Sequence, residues 1–381
     1  LPPECEELRS EVRAFAKEHM AKYSRAQRAH NWSGRDPAFS QKMGEKGWLG
    51  MTWPTDIGGG GKSMLERYVM LEELLAVGAP MGAHWAADRQ MGPLLIRYSR
   101  DKLAPRIIPQ IRRGEAFICI GMSEPDSGSD LASVRTRGTR VDGGWKINGR
   151  KVWTSGAHHA HYMVALVRTS DRGEHRHAGM SQIFIEMDRP GVTVRPIVSQ
   201  LGTRTFNEVI LDDVFVPTDH LVGEEGMGWS QVTTSRSHRQ ATTATQLTGA
   251  LEYALDLAVQ YVKDRVQFGR PIGKNQAIQQ QLAVLAGEVA CSYAAATTAL
   301  RDLPALADME APRAEFSTAV AKVTASDAVR TGASIAHQVH GAIGFTYEYP
   351  LNFATRRLWA WRAEAGSSTE WAERLGQAFI Q

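Results

Sequence analysis

The stretch WKINGRKVW, residues 145–153, decides how the middle of this chain is read. Lys146 alternates with Trp145 and Ile147, and Asn148-Gly149 is the dipeptide best suited to a type I′ turn, which predicts a β-hairpin turning at those two residues. Downstream, HYMVALVRT, SQIFIEM, VTVRPI and EVILDDVFVP have the same β-forming character and are separated by turn residues. Several short strands joined by turns predict a small antiparallel barrel or sandwich from residue 119 to about 217.

Outside that region the apolar period becomes helical. EELRSEVRAFAKEHM places Leu8, Val12 and Phe15 on one face, and SMLERYVMLEELLAVG is a second striped helix that stops at Gly78. Towards the C-terminus, Leu251, Leu255, Ala258 and Val262 recur at about one helical turn, and Phe316, Val320 and Val323 share a side. Ala-rich, apolar-striped helices of this kind pack as bundles. The expected class is α+β in three parts: an N-terminal α-helical domain over 1–118, a middle β-domain over 119–225 and a C-terminal helical bundle over 226–381.

The composition narrows the function. The chain has 381 residues, 43% hydrophobic and 22% charged, which is globular composition. A balance of 44 basic and 41 acidic residues, evenly spread, offers no basic stripe and predicts no nucleic-acid partner. Cys5, Cys119 and Cys291 lie far apart with no CxxC, so no disulfide framework or zinc site is expected and a reducing, cytoplasmic setting is the simplest. The most apolar run, LAVLAGEVACSYAAATTAL, is broken by Glu288 and reads as a buried helix, so no membrane association is expected. DIGGGGKS at 56–63 resembles a phosphate loop, but the motif needs a glycine where Asp56 stands, and the run reads as a flexible connection between helices. His158, His159 and His161 have no fourth ligand at metal spacing, and no metal is expected. GxSxG and GxGxxG are both absent.

SEPDSGSDLASVRT at 123–136 is rich in small and acidic residues after an apolar strand, a composition suited to a loop that offers backbone amides to a polar ligand. It is followed by NGRKVWTSGA at 148–157, VSQLGTRTFNEVILDDVFVP at 198–217, RVQFGRPIGKNQAIQQQLA at 265–283 and QVHGAIGFTYEYPL at 338–351. In this order and spacing the five segments resemble the acyl-CoA dehydrogenase family of flavoproteins over nearly the whole chain. The resemblance implies a middle β-domain between an N-terminal helical domain and a C-terminal four-helix bundle, FAD bound between the middle and C-terminal domains and reaching a neighbouring subunit, and a tetramer.

Residue by residue, the resemblance assigns Met122 and Ser123 to the flavin pyrimidine end, and Ser129 to an FAD phosphate or the thioester arm of the substrate. Trp153 matches the tryptophan flanking the flavin and Ser155 the hydroxyl near its N5. A redox ring needs an aromatic wall against water and a donor where negative charge gathers. Arg265, Gln267 and Phe268 match the segment that clamps the pyrophosphate of a partner subunit's FAD, a task suited to a permanently charged, bidentate guanidinium. Gln338, Gly341, Ala342 and Gly344 match the Gly-rich segment near FAD, with Ala342 in place of the family's second glycine. Ser367 and Thr369 match further FAD contacts, with helix capping as the alternative reading of each hydroxyl.

The implied reaction is α,β-desaturation of an acyl-CoA thioester, with electrons passed on to an electron-transfer flavoprotein or similar acceptor. A carboxylate takes the α-proton, and hydrogen bonds from the flavin ribityl chain and a backbone N–H polarise the thioester carbonyl. Most members keep that carboxylate directly before the glycine of the C-terminal turn, and here that residue is Ala365, whose N–H remains a candidate donor to the carbonyl. Others keep it on the first helix of the bundle, which falls at Arg239 or Gln240, and Trp229 to Leu251 contains no Asp or Glu. Glu364 is thus the candidate base, with pairing to Arg362 or Arg357 as the structural alternative, and Arg239 a candidate for a substrate carboxylate or phosphate. RRLWAWRAEAG at 356–366 is similar to the subgroup acting on sterol side chains, some of which are heterotetramers of related subunits with the base on only one. The alternatives to a homotetrameric dehydrogenase are therefore a heterotetramer, a flavin oxidase or monooxygenase on the same fold, and a non-catalytic flavin-binding partner subunit.

Overall fold

The structure, a computed structural model, describes residues 1–29, 34–171, 173, 175–200, 202–234, 236–303 and 312–380, with the side chains of Ala26, 233–241 and 312–313 outside that set. Its strands are β1 (Ile118–Gly121), β2 (Arg137–Val141), β3 (Gly144–Ser155), β4 (Tyr162–Arg168), β5 (Met180–Glu186), β6 (Val192–Ile197), β7 (Phe206–Pro217) and β8 (Leu221–Val222). The helices used below are α1 (Pro3–His19), α2 (Arg25–Arg28), α3 (Pro37–Glu45), α4 (Met64–Ala76), α5 (Gly92–Tyr98), α6 (Ala104–Arg112), α7 (Gly228–Thr234), α8 (Arg236–Asp264), α9 (Gln276–Asp302), α10 (Pro312–His340), α11 (Leu351–Arg362) and α12 (Ser368–Ile380). Residues 35–61 and 82–235 form one compact unit; residues 1–34, 62–81 and 236–381 form the other.

In the first unit the sheet runs β6-β7-β3-β2-β4-β5-β8, and β1 lies parallel on β4. Apart from that pairing and one β2–β4 pair at Arg137 and Arg168, neighbours are antiparallel. Trp145, Ile147, Met163, Ala165, Ile183, Val209 and Val214 fill the interior. Leu166 and Met180 belong to a second apolar cluster, against which Trp229 and Val232 of α7 pack, so β4 is apolar on both faces.

The hairpin expected at Asn148-Gly149 is not there. β3 continues to Ser155, and the chain turns earlier, at Asp142-Gly143, where Val141 faces Gly144 and Gly143 has φ +73°. Asn148 and Gly149 instead form a bulge, because the β3–β7 register shifts between Ile147 and Gly149. The Asn148 amide clasps Asp213, donating to Oδ1 at 2.8 Å and accepting from its N–H at 2.9 Å. At Gly149 a Cβ would come within 2.7 Å of the Thr136 Cα, so the glycine serves a close approach. The physical reason is that β3 pairs with β7 on both sides of this point, from Gly144 to Ser155, and a turn at Asn148 would forfeit every pair from Gly149 onward.

Two glycines of the run at 58–61 serve close approaches: a Cβ on Gly59 would lie 2.2 Å from the Trp53 carbonyl oxygen, and one on Gly60 2.6 Å from the Met51 carbonyl oxygen, whereas Gly58 has open space about it.

In the helical unit, Ser63 and Glu66 form a reciprocal capping box that starts α4. α10 packs against α8, α9, α11 and α12. Its approach to α8 is close, since a Cβ on Gly332 would sit 2.6 Å from Leu251 Cδ2. The apolar run at 282–300 lies in α9, and the expectation that it is buried fails. Only 33% of its most apolar stretch is buried, with Val284 52% exposed, although α10, α8 and α4 pack against the helix. By length and composition α9 would also be long enough to cross a membrane, but a single such helix packed on three others is what a bundle contains.

A buried carboxyl cluster ties α1, α4 and α8 together. Arg9 Nη1 is 2.9 Å from Glu72 Oε2 and also pairs with Glu73, and Arg13 Nε donates to Glu73 at 2.9 Å. The Tyr68 hydroxyl donates to Glu72, and Glu252 of α8, one turn before Asp256, adds its charge. Burial, with the Glu252 charge, pushes Glu72 up to about 7 despite Arg9 and Tyr68. The folded state therefore holds an extra proton between the ordinary value of 4.5 and about 7, and stability falls as pH rises through that window. Glu72→Gln removes the titration, so the wild type should lose stability relative to the variant between about pH 5 and about pH 8. Urea unfolding midpoints of the two proteins that run parallel over this range would contradict the assignment.

Candidate active site

The β-unit contributes a surface built by one buried ion pair. Lys151 points inward from β3 with its side chain fully buried, and its ammonium donates to Glu124 Oε1 at 2.8 Å, the Leu166 carbonyl at 2.6 Å and the Met122 carbonyl at 3.2 Å. Glu124 also accepts the N–H groups of Arg135 (2.7 Å) and Thr136 (2.9 Å). Burial works against both charges: it pulls Lys151 down to about 8, while Lys151 and the two N–H donors hold Glu124 below its ordinary value. The Val152 N–H donates to the Ser123 carbonyl at 2.9 Å. Met122 and Ser123 are thus fixed beside β3.

Past Lys151 the strand bulges again, with the β3–β7 register shifting between Lys151 and Thr154. Trp153 sits in that irregularity at φ +58° and is 59% exposed, its indole edge-on to Phe206 with centroids 6.1 Å apart. A large aromatic in the left-handed region costs about 1–3 kcal/mol, and such strain gathers at ligand sites. Buried Asn207 holds the return, donating to the Thr154 carbonyl at 2.9 Å. Ser155 is exposed on the next residue. The structure therefore brings Met122, Ser123, Trp153 and Ser155 together. Ser129 is exposed in the adjoining loop, where Ser127 Oγ donates to the Asp130 carbonyl at 2.9 Å.

The helical unit contributes two separate groups. The first is the turn from α11 to α12. Ala365 has φ +61° and Gly366 φ +105°, and the Trp371 indole donates to the Ala365 carbonyl at 3.0 Å. A Cβ on Gly366 would meet that indole nitrogen at 2.6 Å, so the glycine is a steric requirement. Ser367 Oγ accepts the Glu370 N–H at 3.2 Å, which makes it a cap of α12, and Thr369 is exposed on the first turn. Buried Lys322 of α10 fastens this turn, donating to the Arg362 carbonyl at 2.7 Å and to Ser326 Oγ at 3.0 Å. Glu364 is half-buried, and its charge supports the Lys322 proton against the burial that draws Lys322 down to about 8.

The second group lies at the other end of α10. Val266-Gln267 pairs with Arg270-Pro271 across a two-residue turn in which Phe268 (φ +55°) and Gly269 (φ +80°) both have positive φ, the type I′ geometry anticipated elsewhere in the chain. Phe268 is 99% exposed, and Arg265 and Gln267 are exposed beside it. Tyr261, at the end of α8, stacks on His340 with centroids 4.5 Å apart, bringing the hairpin near the exposed Gln338, Gly341 and Ala342. Gly341 has φ +64°, with open space where a Cβ would be. Lys322 and Gln338 are 16 positions apart on one helix, about 24 Å at 1.5 Å per residue. The sequence-derived set Arg265, Gln267, Phe268, Gln338, Gly341 and Ala342 is therefore not brought to the Glu364 turn of the same chain. The Arg239 side chain lies outside the described residues.

Lys151, Glu124 and Lys322 are absent from the sequence-derived site. A readable signal existed for the first pair: a lysine within a strand motif and a glutamate within the neighbouring small-residue motif. Replacing Lys151 with Met leaves Glu124 buried without its cation, a loss of about 3–5 kcal/mol. Lys151→Met/Glu124→Gln should recover part of that loss in urea unfolding. A single variant as stable as wild type would remove the pair's structural role.

Profiles described as the N-terminal, middle and C-terminal domains of acyl-CoA dehydrogenase match residues 2–115, 119–214 and 226–377. Acyl-CoA dehydrogenase IpdE1 of Mycobacterium tuberculosis is 37% identical over an alignment spanning 59% of this chain and 60% of that protein. Benzylmalonyl-CoA dehydrogenase of Aromatoleum aromaticum is 31% identical over 82% of each chain. The crystal structure of acyl-CoA dehydrogenase from Geobacillus kaustophilus superposes with a TM-score of 0.85 at 25% identity, covering 100% of this chain and 99% of that one. Three domain profiles in order, relatives aligned through most of their length and one shared architecture agree: the chain belongs to the acyl-CoA dehydrogenase family.

Proposed function

We propose that this chain is an FAD-dependent dehydrogenase that introduces an α,β double bond into an acyl-CoA thioester. The observation carrying the reading is Trp153, a large aromatic held exposed and strained beside Met122, Ser123 and Ser155 by the Lys151 anchor. A flat, exposed indole beside a fringe of hydroxyls and backbone groups fits a flat, polar-edged ring such as isoalloxazine. When bound, FAD supplies the acceptor for the β-hydrogen and its electron pair. The chain's own residues do the rest. Trp153 shields the ring from water, Ser155 donates where negative charge collects, and the Ala365 N–H donates to the thioester carbonyl. Glu364 takes the α-proton as the C–C double bond forms, one residue before the family's usual position. Arg265, Gln267 and Phe268, with Gln338, Gly341 and Ala342, hold the FAD of a neighbouring subunit. Their distance from the Glu364 turn, and a fully exposed Phe268, support an assembly of several chains. The 31%-identical benzylmalonyl-CoA dehydrogenase supports a bulky acyl group, and a steroid side chain falls in that class. A second flavoprotein is the proposed electron acceptor.

The test is anaerobic bleaching of the flavin by a panel of acyl-CoA thioesters, wild type beside Glu364→Gln. Loss of bleaching by about 100-fold or more in rate, with FAD retained, is expected for a general base. The arrangement around Lys322 favours a second reading, in which Glu364 serves as counter-charge to that lysine and a related subunit supplies the base. Unchanged bleaching in Glu364→Gln, together with activity that appears only when a second chain co-purifies, would select it. Rapid reoxidation of the reduced flavin by air would instead point to an oxidase.

A further inference from the structure

The helical unit contains a cavity of about 220 Å³ lined by Arg25, Arg28, Tyr253, Phe353 and Arg357, with Ala76, Val77 and Pro350 completing the wall. Three of its eight lining residues are arginines and none is acidic. Arg357 is its floor. It points inward from α11, is 6% exposed, and donates through Nη1 to the Arg28 carbonyl at 2.8 Å and through Nη2 to the Ala76 carbonyl at 3.1 Å. Its Nε is buried with no hydrogen-bond partner among the described residues. A buried guanidinium is ordinarily matched by a carboxylate, because neutral carbonyls do not offset the loss of hydration. The alternative pairing of Glu364 with Arg357 does not supply the match: the Arg357 hydrogen bonds go to the two carbonyls, and burial pulls its guanidinium down to about 10. Burial pushes the Tyr253 phenol up, and the positive charges of Arg357, Arg28 and Arg25, all in the same lining, act against that rise. Arg28 is held in place through the Tyr23 carbonyl, at 3.2 Å, and the Met20 carbonyl, at 2.5 Å, while Arg25 is exposed at the mouth.

We propose that this cavity binds a small oxyanion, a phosphate or carboxylate group, held by the positive charge of its arginine lining, with the Tyr253 hydroxyl as a donor and Arg25 closing the mouth. Three guanidiniums in a lining without a carboxylate suit either group, and a cavity of this volume admits inorganic phosphate or a short dicarboxylate. The site lies on the helix that ends at the Arg362 carbonyl held by Lys322, so occupancy and the α11–α12 turn share one rigid element.

The test uses the protein as purified, with excess FAD so that the pyrophosphate contacts proposed at Arg265 are filled, and needs no turnover of acyl-CoA. Thermal midpoints are followed against inorganic phosphate, succinate and sodium chloride at matched ionic strength. A ligand that binds only the folded state raises the midpoint saturably, and chloride should not reproduce it. Whichever of phosphate and succinate saturates at lower concentration identifies the phosphate or carboxylate source. Arg25→Gln, an exposed change, should weaken the apparent affinity by about tenfold, and Tyr253→Phe should weaken it as well. Lys263→Gln, an exposed cation on α8 outside the cavity, should leave it unchanged. Coincident curves for all three salts overturn the proposal, as does an equal effect of Arg25→Gln and Lys263→Gln.

Discussion

The contact on which the β-unit's functional face depends is the bond between the Lys151 ammonium and the Glu124 carboxylate, both out of reach of water. One cation reaches the segment after β1 through the Met122 carbonyl, the middle of β4 through the Leu166 carbonyl, and the loop before β2 through Glu124 and its two N–H partners. Burying both charges costs several kcal/mol of hydration each, and close geometry with satisfied hydrogen bonds is what offsets it. The return is positional. Three segments distant in sequence are fixed to a common point, and the strained Trp153 emerges two residues beyond it. A flexible mounting would let the indole relax into the β region and fold back on the sheet.

The helical unit repeats the device with a different balance. Lys322 is buried like Lys151, but its hydrogen-bond partners are a carbonyl and a hydroxyl, and Glu364 acts on it through charge. Arg357 has two carbonyls. At the opposite extreme, the cluster around Glu72 holds more carboxyls than cations and keeps a proton instead. Buried charge in this protein is therefore matched in three ways: by a counter-ion, by a proton, or by dipoles alone. The last leaves room for an anion from outside.

The apolar periods gave the order helices, strands, helices, and the five motifs supplied the residues assigned to the proposed cofactor, because both signals are local in the chain. Two local signals failed, and each for a non-local reason. Asn148-Gly149 is a strong turn dipeptide, yet β3 extends its ladder with β7 to Ser155 by running through it, and the type I′ turn appears at Phe268-Gly269, where no preference of Phe for positive φ would have suggested it. The apolar run of α9 is as hydrophobic as a core helix, yet among the described residues the helices packed on it leave most of it uncovered.

By itself the sequence determined the family, the class and the identity of most residues on the proposed flavin surface, since these follow from ordered motifs and from residue chemistry. It also showed that no carboxylate precedes the glycine of the C-terminal turn. Only the tertiary structure decided which charges meet. Glu364 is near Lys322 and not paired with Arg357 because α10 passes beneath the turn, bringing position 322 against position 362. Lys151 meets Glu124 because β3 lies against β1, and Glu124 follows β1 directly. Such encounters are set by packing between elements distant in sequence, and no local pattern of residues encodes them.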